Sequence, residues 1–189
     1  MKTLGFALFD TAIGPCGIAW SGGGVSGVQL PEDDAEGTRA RMQDRFPGVP
    51  ELPMPGDVRQ ASLDIASLLR GERSPRSDLR QICLDLAGQS EFHRRVYALA
   101  REVLPGQTTT YGELAQRLDE PGAARAVGRA MALNPFAPVV PCHRVLAAQG
   151  RSGGFSASGG VATKLRMLLI ERARFGEPGL FDEDPPAPG

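Results

Sequence analysis

The sequence has no long hydrophobic run: nothing in it approaches the ~20 consecutive apolar residues that a membrane-spanning helix needs. Its start, Met1-Lys2-Thr3-Leu4-Gly5-Phe6, passes straight into a strand-like pattern, without the apolar region and small-residue cleavage site of a secretory leader. The expectation is a cytoplasmic protein with no membrane partner. Metal ligands are scarce too. Histidine occurs only as His93 and His143, and cysteine only as Cys16, Cys83 and Cys142, with no close pair at zinc-site spacing. An odd, scattered set of thiols in 189 residues also argues against a disulfide scaffold. No metal and no other cofactor is expected. Each cysteine is then judged alone, against the default of a small buried hydrophobe.

A strong charge of either sign is also missing, since the formal net charge is -1. The distribution is more informative than the total. Between Tyr111 and Arg174 there are nine Lys/Arg against four Asp/Glu, whereas Gly176 to Gly189 holds Glu177, Asp182, Glu183 and Asp184 with no base. An acidic remainder can hide a basic binding face in such a total. A solvated surface can have the same composition, so charge alone decides nothing.

What is present suits a soluble globular protein, 23% charged and 41% hydrophobic, of one large domain or two small ones. Phe6-Ala7-Leu8-Phe9, Gly17-Ile18-Ala19-Trp20 and Val25-Ser26-Gly27-Val28-Gln29-Leu30 read as short strands separated by Gly14-Pro15 and Gly22-Gly23-Gly24. Two helical segments follow, with Val58, Leu63, Ile65, Leu68 and Leu69 as an imperfect stripe ending at Gly71. Beyond a linker rich in Arg, Ser and Pro, Gln81 to Leu86 looks like one more strand. Cys16 and Cys83 are expected to be packing residues of this part.

The second half is mainly helical. Ser90 can cap a helix with Phe92, Val96, Leu99 and Val103 at helical spacing, ending before Pro105-Gly106, with His93 off the stripe and exposed. Thr110 and Glu113 form a capping box that starts a short helix to Leu118. Asp119-Glu120-Pro121-Gly122 breaks it, and a second helix runs from Ala123 to about Ala132, which is the helix-turn-helix outline. On the second helix Ala124, Val127 and Met131 share the core side, while Arg125, Arg129 and Ala132 share another. Small residues with two arginines would let that helix approach DNA closely, though a solvated face would read similarly. The last helix starts after Gly159-Gly160 and runs to about Phe175, with Val161, Leu165, Leu168 and Leu169 as its apolar stripe.

The fold class expected is therefore α+β: a small N-terminal antiparallel sheet with helices, then a mainly helical, winged-helix-like C-terminal domain containing the helix-turn-helix. The divisions are residues 1–88, 89–175 and a disordered acidic tail over 176–189.

Cys142 and His143 lie together in Val139-Val140-Pro141-Cys142-His143-Arg144-Val145-Leu146, bounded by apolar residues. A thiol becomes a good nucleophile as the thiolate, and a nearby imidazole can take the proton. Adjacent side chains rarely point the same way, so a bridging water is expected between them. A third group must orient the imidazole, and Glu171 on the border of the last helix is the candidate.

Asn134-Pro135 followed by Pro141-Cys142-His143-Arg144-Val145 resembles the O6-alkylguanine-DNA alkyltransferases, the methylated-DNA–protein-cysteine methyltransferases. The resemblance runs from Phe92 through Thr110-Tyr111-Gly112-Glu113-Leu114-Ala115, Ala123-Ala124-Arg125-Ala126-Val127-Gly128 and Gly153-Gly154-Phe155-Ser156 to Lys164 and Glu171. It implies single-turnover transfer of an alkyl group from O6-alkylguanine in double-stranded DNA, with O4-alkylthymine as a further substrate, to Cys142 in a monomeric protein. By the same resemblance His143 is the water-mediated base, Glu171 its orienter, and Asn134 the brace of the turn before the active-site strand. Arg125 fills the stack left by an extruded guanine, and Tyr111 crowds the 3′ phosphate. Ala123, Ala124 and Arg129 belong to the DNA-facing helix, and Pro141, Val145, Phe155 and Ser156 to the lesion pocket. The loop Gly153 to Gly160 is longer than common versions and carries Phe155 where many members have tyrosine. The rival readings are a non-repairing sensor or regulator of alkylated DNA and a Cys-His hydrolase.

Overall fold

A computed structural model describes residues 2–148 and 153–173. The helix expected to run to about Phe175 already ends at Ile170, whereas residues 174–175 and the acidic tail over 176–189 lie outside the described residues. Three antiparallel strands, β1 (Thr3–Thr11), β2 (Gly14–Ser21) and β3 (Gly24–Gln29), form a sheet in the order β1-β2-β3. Gly24 opens β3 at φ +119, and a Cβ there would meet the Cys83 carbonyl oxygen at 2.6 Å, so only glycine fits that turn. Strand β2 is buried on both faces, and its period of two divides its residues between two helices. Cys16, Ile18 and Trp20 join Val58, Ile65, Leu68 and Leu69 of α2 (Gly56–Leu69). On the other face Ala19 packs with Phe6 and with Met42 of α1 (Ala35–Arg45), a helix capped by Asp34, which accepts from the Gly37 amide at 2.7 Å.

Several sequence expectations need correction in this half. Leu63 is 57% exposed, because it lies two residues from Ile65 and hence on the far side of α2. Residues Gln81 to Leu86 make no strand. The segment has one bridge, Val25 to Leu84, with the Val25 amide on the Cys83 carbonyl at 2.9 Å and the Asp85 amide on the Val25 carbonyl at 2.8 Å. The free edge of β3 is divided: further along, the Val28 amide is taken by the Pro135 carbonyl at 2.8 Å, so no ladder can grow. Cys16 is a fully buried packing residue as expected, but Cys83 is exposed, its carbonyl rather than its side chain facing the sheet.

Helix α3 (Glu91–Ala100) is capped by Ser90, which accepts from the His93 amide at 3.2 Å. It ends a turn earlier than the Phe92–Val103 stripe suggests. Val103 stays buried, but its amide bonds the Ala100 carbonyl at 3.1 Å in the tighter geometry common at helix ends. His93 is half-buried rather than exposed, its ring tilted against Phe92 and Tyr97 at 6.3 and 5.8 Å. The capping box is formed: the Glu113 amide donates to Thr110 Oγ1 at 3.1 Å and the Thr110 amide to Glu113 Oε2 at 2.7 Å. It starts α4 (Tyr111–Arg117); a short 3-10 turn over Pro121–Ala123 then leads into α5 (Ala124–Ala132). Leu114, Val127 and Met131 join Val96, Tyr97 and Phe136 in one core, so the helix-turn-helix is packed onto α3.

A 3-10 turn over Cys142–Arg144 leads into β5 (Val145–Leu146), which pairs in parallel with β4 (Thr109–Thr110) at the start of α4. The last helix, α6 (Gly160–Ile170), is closed by Arg172 at φ 56 and by the Ala173 amide on the Leu168 carbonyl at 2.9 Å. Its expected apolar stripe is only partly right. Val161 and Leu169 are 38% and 67% exposed, whereas Lys164, Met167, Leu168 and Glu171 face inward. Two buried polar anchors, two turns apart, set which face is covered.

Candidate active site

After α5 the chain turns at Asn134-Pro135. Asn134 Oδ1 accepts from the Phe136 amide at 2.9 Å, and its Nδ2 donates to the Val140 carbonyl at 2.8 Å. The same Val140 carbonyl accepts from the Cys142 amide at 2.8 Å. One asparagine thus closes the 134–140 loop and holds the cysteine at its end. Cys142 is 6% exposed and borders a cavity of about 430 Å³, with Tyr111, Gly128, Met131, Ala132, Gly154, Phe155 and Ser156 as the other lining residues. The cavity lies between α5 and the 153–156 loop, and no ionised side chain lines it.

Behind the cysteine is a buried polar cluster. His143 Nε2 and Glu171 Oε1 are 2.8 Å apart. Arg144 clasps the same carboxylate with Nε on Oε2 and Nη2 on Oε1, both at 2.8 Å, and its Nη1 donates to the Val103 carbonyl at 2.7 Å. His143, Arg144 and Glu171 are 0%, 1% and 6% exposed. Burial raises the Glu171 pKa, but His143 and Arg144 together outweigh it and hold the carboxyl at about 2. Glu171 is therefore an anion at neutral pH. Burial pulls the His143 pKa below its ordinary value despite the pull of Glu171 in the other direction. The neutral ring donates through Nε2–H to Glu171, which leaves Nδ1 as a buried acceptor with no hydrogen-bond partner among the described residues.

Burial likewise pushes the Cys142 thiol up, against the opposing effects of Asn134 and Lys164. The resting state is a thiol that needs a base, and the neutral imidazole beside it has a free lone pair. Lys164, fully buried, donates to the Val145 carbonyl at 2.7 Å; burial draws its pKa down to about 8, with the Cys142 charge working in the other direction. Tyr111, on the cavity wall, is raised by burial and by the Cys142 charge, so its hydroxyl stays a proton donor at neutral pH.

The structure thus brings Cys142, His143, Glu171, Asn134 and Tyr111 together, with Phe155 and Ser156 on the cavity wall. Pro141 and Val145 do not line it. Both side chains are buried behind Cys142, and what Val145 offers is its carbonyl. Arg125, Arg129 and Ala132 are exposed on one side of α5, with Ala123 and Ala124 half-buried at its start. The sequence reading assigned no role to Arg144 or Lys164. For Arg144 a signal was available, since a charge between buried-looking apolar residues must find a counter-charge. No group of three His, Cys, Asp or Glu side chains among the described residues could hold a metal ion.

Known proteins are similar to this chain in sequence and in fold. The family model described as 6-O-methylguanine DNA methyltransferase, DNA binding domain, matches residues 91–173. A methylated-DNA–protein-cysteine methyltransferase of Mycobacterium leprae is 36% identical over 163 residues, covering 86% of this chain and 89% of that protein. The crystal structure of Mycobacterium tuberculosis OGT in complex with DNA superposes with a TM-score of 0.71 at 31% identity, covering 92% of this chain and 96% of that one. The O6-methylguanine-DNA methyltransferase of Pyrococcus kodakaraensis gives a TM-score of 0.67 at 29% identity, covering 88% and 98%.

Proposed function

The chain belongs to the O6-alkylguanine-DNA alkyltransferase family, and from that premise we infer that it repairs alkylated DNA directly, moving the alkyl group from O6-alkylguanine to its own Cys142. The observation that carries the assignment is the position of that thiol. It borders the cavity beside α5 of the helix-turn-helix, with a polarised imidazole and a buried carboxylate behind it.

The lesion carbon is inside a duplex, so the base must leave the stack to meet the thiol. Helix α5 continues from the 3-10 turn through Ala123, and its small first residues, Ala123 and Ala124, let its backbone come close to DNA. Arg125, exposed on that helix, occupies the space of the extruded base, and Arg129 adds positive charge on the same side. In the cavity the Cys142 proton passes through a water to His143 Nδ1. The thiolate then attacks the O6-alkyl carbon, the carbon–oxygen bond breaks, and its electron pair stays with guanine. Tyr111 donates towards the departing base, and the thiol's proton ends on the guanine ring. The product thioether has no leaving group that water can displace, so each molecule reacts once. O4-alkylthymine offers the same oxygen–alkyl bond and is included among the substrates.

The same reading divides the chain at residue 88/89 into a supporting N-terminal domain and the alkyltransferase domain, followed by the acidic tail over 176–189. It also places a monomer in the cytoplasm, where a free acceptor thiol stays reduced; no helix among the described residues is long and apolar enough to cross a membrane.

The test is a duplex containing O6-methylguanine in excess over protein. Guanine should be restored up to one equivalent and no further. Continued turnover, or binding without restored guanine, contradicts the reading and favours a hydrolase or a sensor respectively. The Arg125→Ala variant should lose far more activity on duplex than on the free base O6-methylguanine; equal losses on both would remove Arg125 from base extrusion. The pH dependence follows from the buried pair. Because the His143 pKa is lowered, the base stays neutral below pH 6.5, and the acid limb of the transfer rate should have its midpoint under that value. A rate that instead climbs steadily from pH 6 to pH 9 would show a free thiol ionising without the histidine.

A further inference from the structure

Beside the lesion cavity, Cys142 borders a second cleft of about 270 Å³, and its opposite wall comes from the N-terminal half, including Val28, Gln29 and Arg45. Arg45, at the end of α1, donates from Nη1 to the Val28 carbonyl at 2.9 Å and to Gln29 Oε1 at 2.8 Å. Its Nη2 reaches across to the Pro135 carbonyl at 3.2 Å, the oxygen that also accepts from the Val28 amide at 2.8 Å. Pro135 directly follows Asn134, whose side chain spans the 134–140 loop to the Val140 carbonyl, the oxygen that also accepts from the Cys142 amide at 2.8 Å. Hydrogen bonds on either side of the Asn134-Pro135 peptide therefore link α1 to the backbone of the nucleophile.

The surroundings are shaped around this guanidinium. Its centre lies 5.4 Å from the Phe46 ring centroid. On β3, Gly27 has no need of a left-handed backbone, but a Cβ there would lie 2.7 Å from Phe46 Cζ and 3.1 Å from Arg45 Nη2. The missing side chain makes room for the arginine and its stacking partner. Chain termini and exposed loops are the usual places for arginine, whereas this one ties two halves of the molecule at the turn next to the reacting thiol.

We propose that Arg45 is a positioning residue for alkyl transfer: through the Pro135 carbonyl it holds the Asn134 turn, and with it Cys142, in register with the lesion cavity. This gives the N-terminal half a part in the chemistry beyond bulk support. The proposal rests on Cys142 being the alkyl acceptor. Misplacement of a reacting group by a fraction of an ångström to an ångström slows transfer without weakening the encounter with DNA.

The test is single-turnover transfer from an O6-methylguanine duplex, read as the time constant, so a smaller folded fraction lowers the amplitude but does not mimic the effect. For Arg45→Met the rate constant at saturating duplex should fall about tenfold or more, with the half-saturating duplex concentration unchanged. Gly27→Ala, which retains the charge but displaces its head group, should slow the step in the same way and serves if the first variant fails to fold. Arg45→Lys should stay slow, because a lysine head group cannot span both carbonyls as the planar fork does. Wild-type rate constants at saturating duplex in the Arg45→Met and Gly27→Ala proteins would overturn the proposal, as would full recovery with lysine. Wild-type protein that transfers nothing would instead overturn the acceptor assignment on which the proposal stands.

Discussion

Replacing Cys142 by serine is expected to abolish alkyl transfer while leaving binding to an O6-methylguanine duplex intact. The substitution changes one atom, and the site that receives it is unusually defined. The Val140 carbonyl, braced by Asn134, holds the residue's amide on one side, and the buried His143–Glu171 pair lies on the other. Serine keeps the shape and the backbone hydrogen bond to the Val140 carbonyl, so the fold and the cavity survive. What it loses is acidity and polarisability: a hydroxyl is too weak an acid for a neutral imidazole to ionise, and too poor a nucleophile towards an alkyl carbon. The other two thiols cannot substitute. Cys16 is buried in the first core and burial pushes its pKa to about 12, and Cys83 is exposed on the N-terminal half and lines neither opening onto Cys142. Residual transfer above the level of a protein-free control would mean that Cys142 is not the acceptor.

The second large effect concerns stability. Glu171→Leu leaves Arg144 and His143, 1% and 0% exposed, without their shared anion. Breaking a buried ion pair from one side costs about 3–5 kcal/mol, because the remaining charge is left desolvated. Here the arginine loses both arms of its fork and keeps only the Val103 carbonyl. Glu171→Gln retains an acceptor for His143 and one for Arg144, so it should cost distinctly less. Denaturant unfolding of the two variants against the parent measures the difference. A loss below about 1 kcal/mol for Glu171→Leu, the range of an exposed pair, would contradict a desolvated cluster. The effect also couples fold to chemistry, since the carboxylate that ties the end of α6 to the 142–144 turn is the one that fixes the His143 tautomer.

Much of this was legible in the sequence, for identifiable reasons. The three strands are short apolar runs set off by glycine turns, and the capping box at Thr110 and Glu113 is a local signal that needs no tertiary help. The candidate acceptor stands out because Cys142, His143 and Asn134 are close in the chain. Tertiary partners were harder. Gln81 to Leu86 has strand composition, yet its only available edge is shared with Pro135, a residue from the other half. The buried face of helix α6 is only partly legible because it is set by Lys164 and Glu171, whose partners Val145, His143 and Arg144 lie far back in the sequence. A hydrophobic stripe cannot report a face that is held by buried charges. For the same reason Arg45 gave no signal: nothing local distinguishes an arginine bound to a remote carbonyl from one in water.

The most direct measurement is peptide-resolved mass spectrometry of the protein after reaction with one equivalent of O6-methylguanine duplex. The expected result is a single methyl group on the peptide containing Cys142, as a thioether on that residue, with the peptides of Cys16 and Cys83 unchanged and normal guanine in the DNA. A methyl group on either of those other cysteines, or restored guanine with no methyl on the protein, would contradict transfer to Cys142.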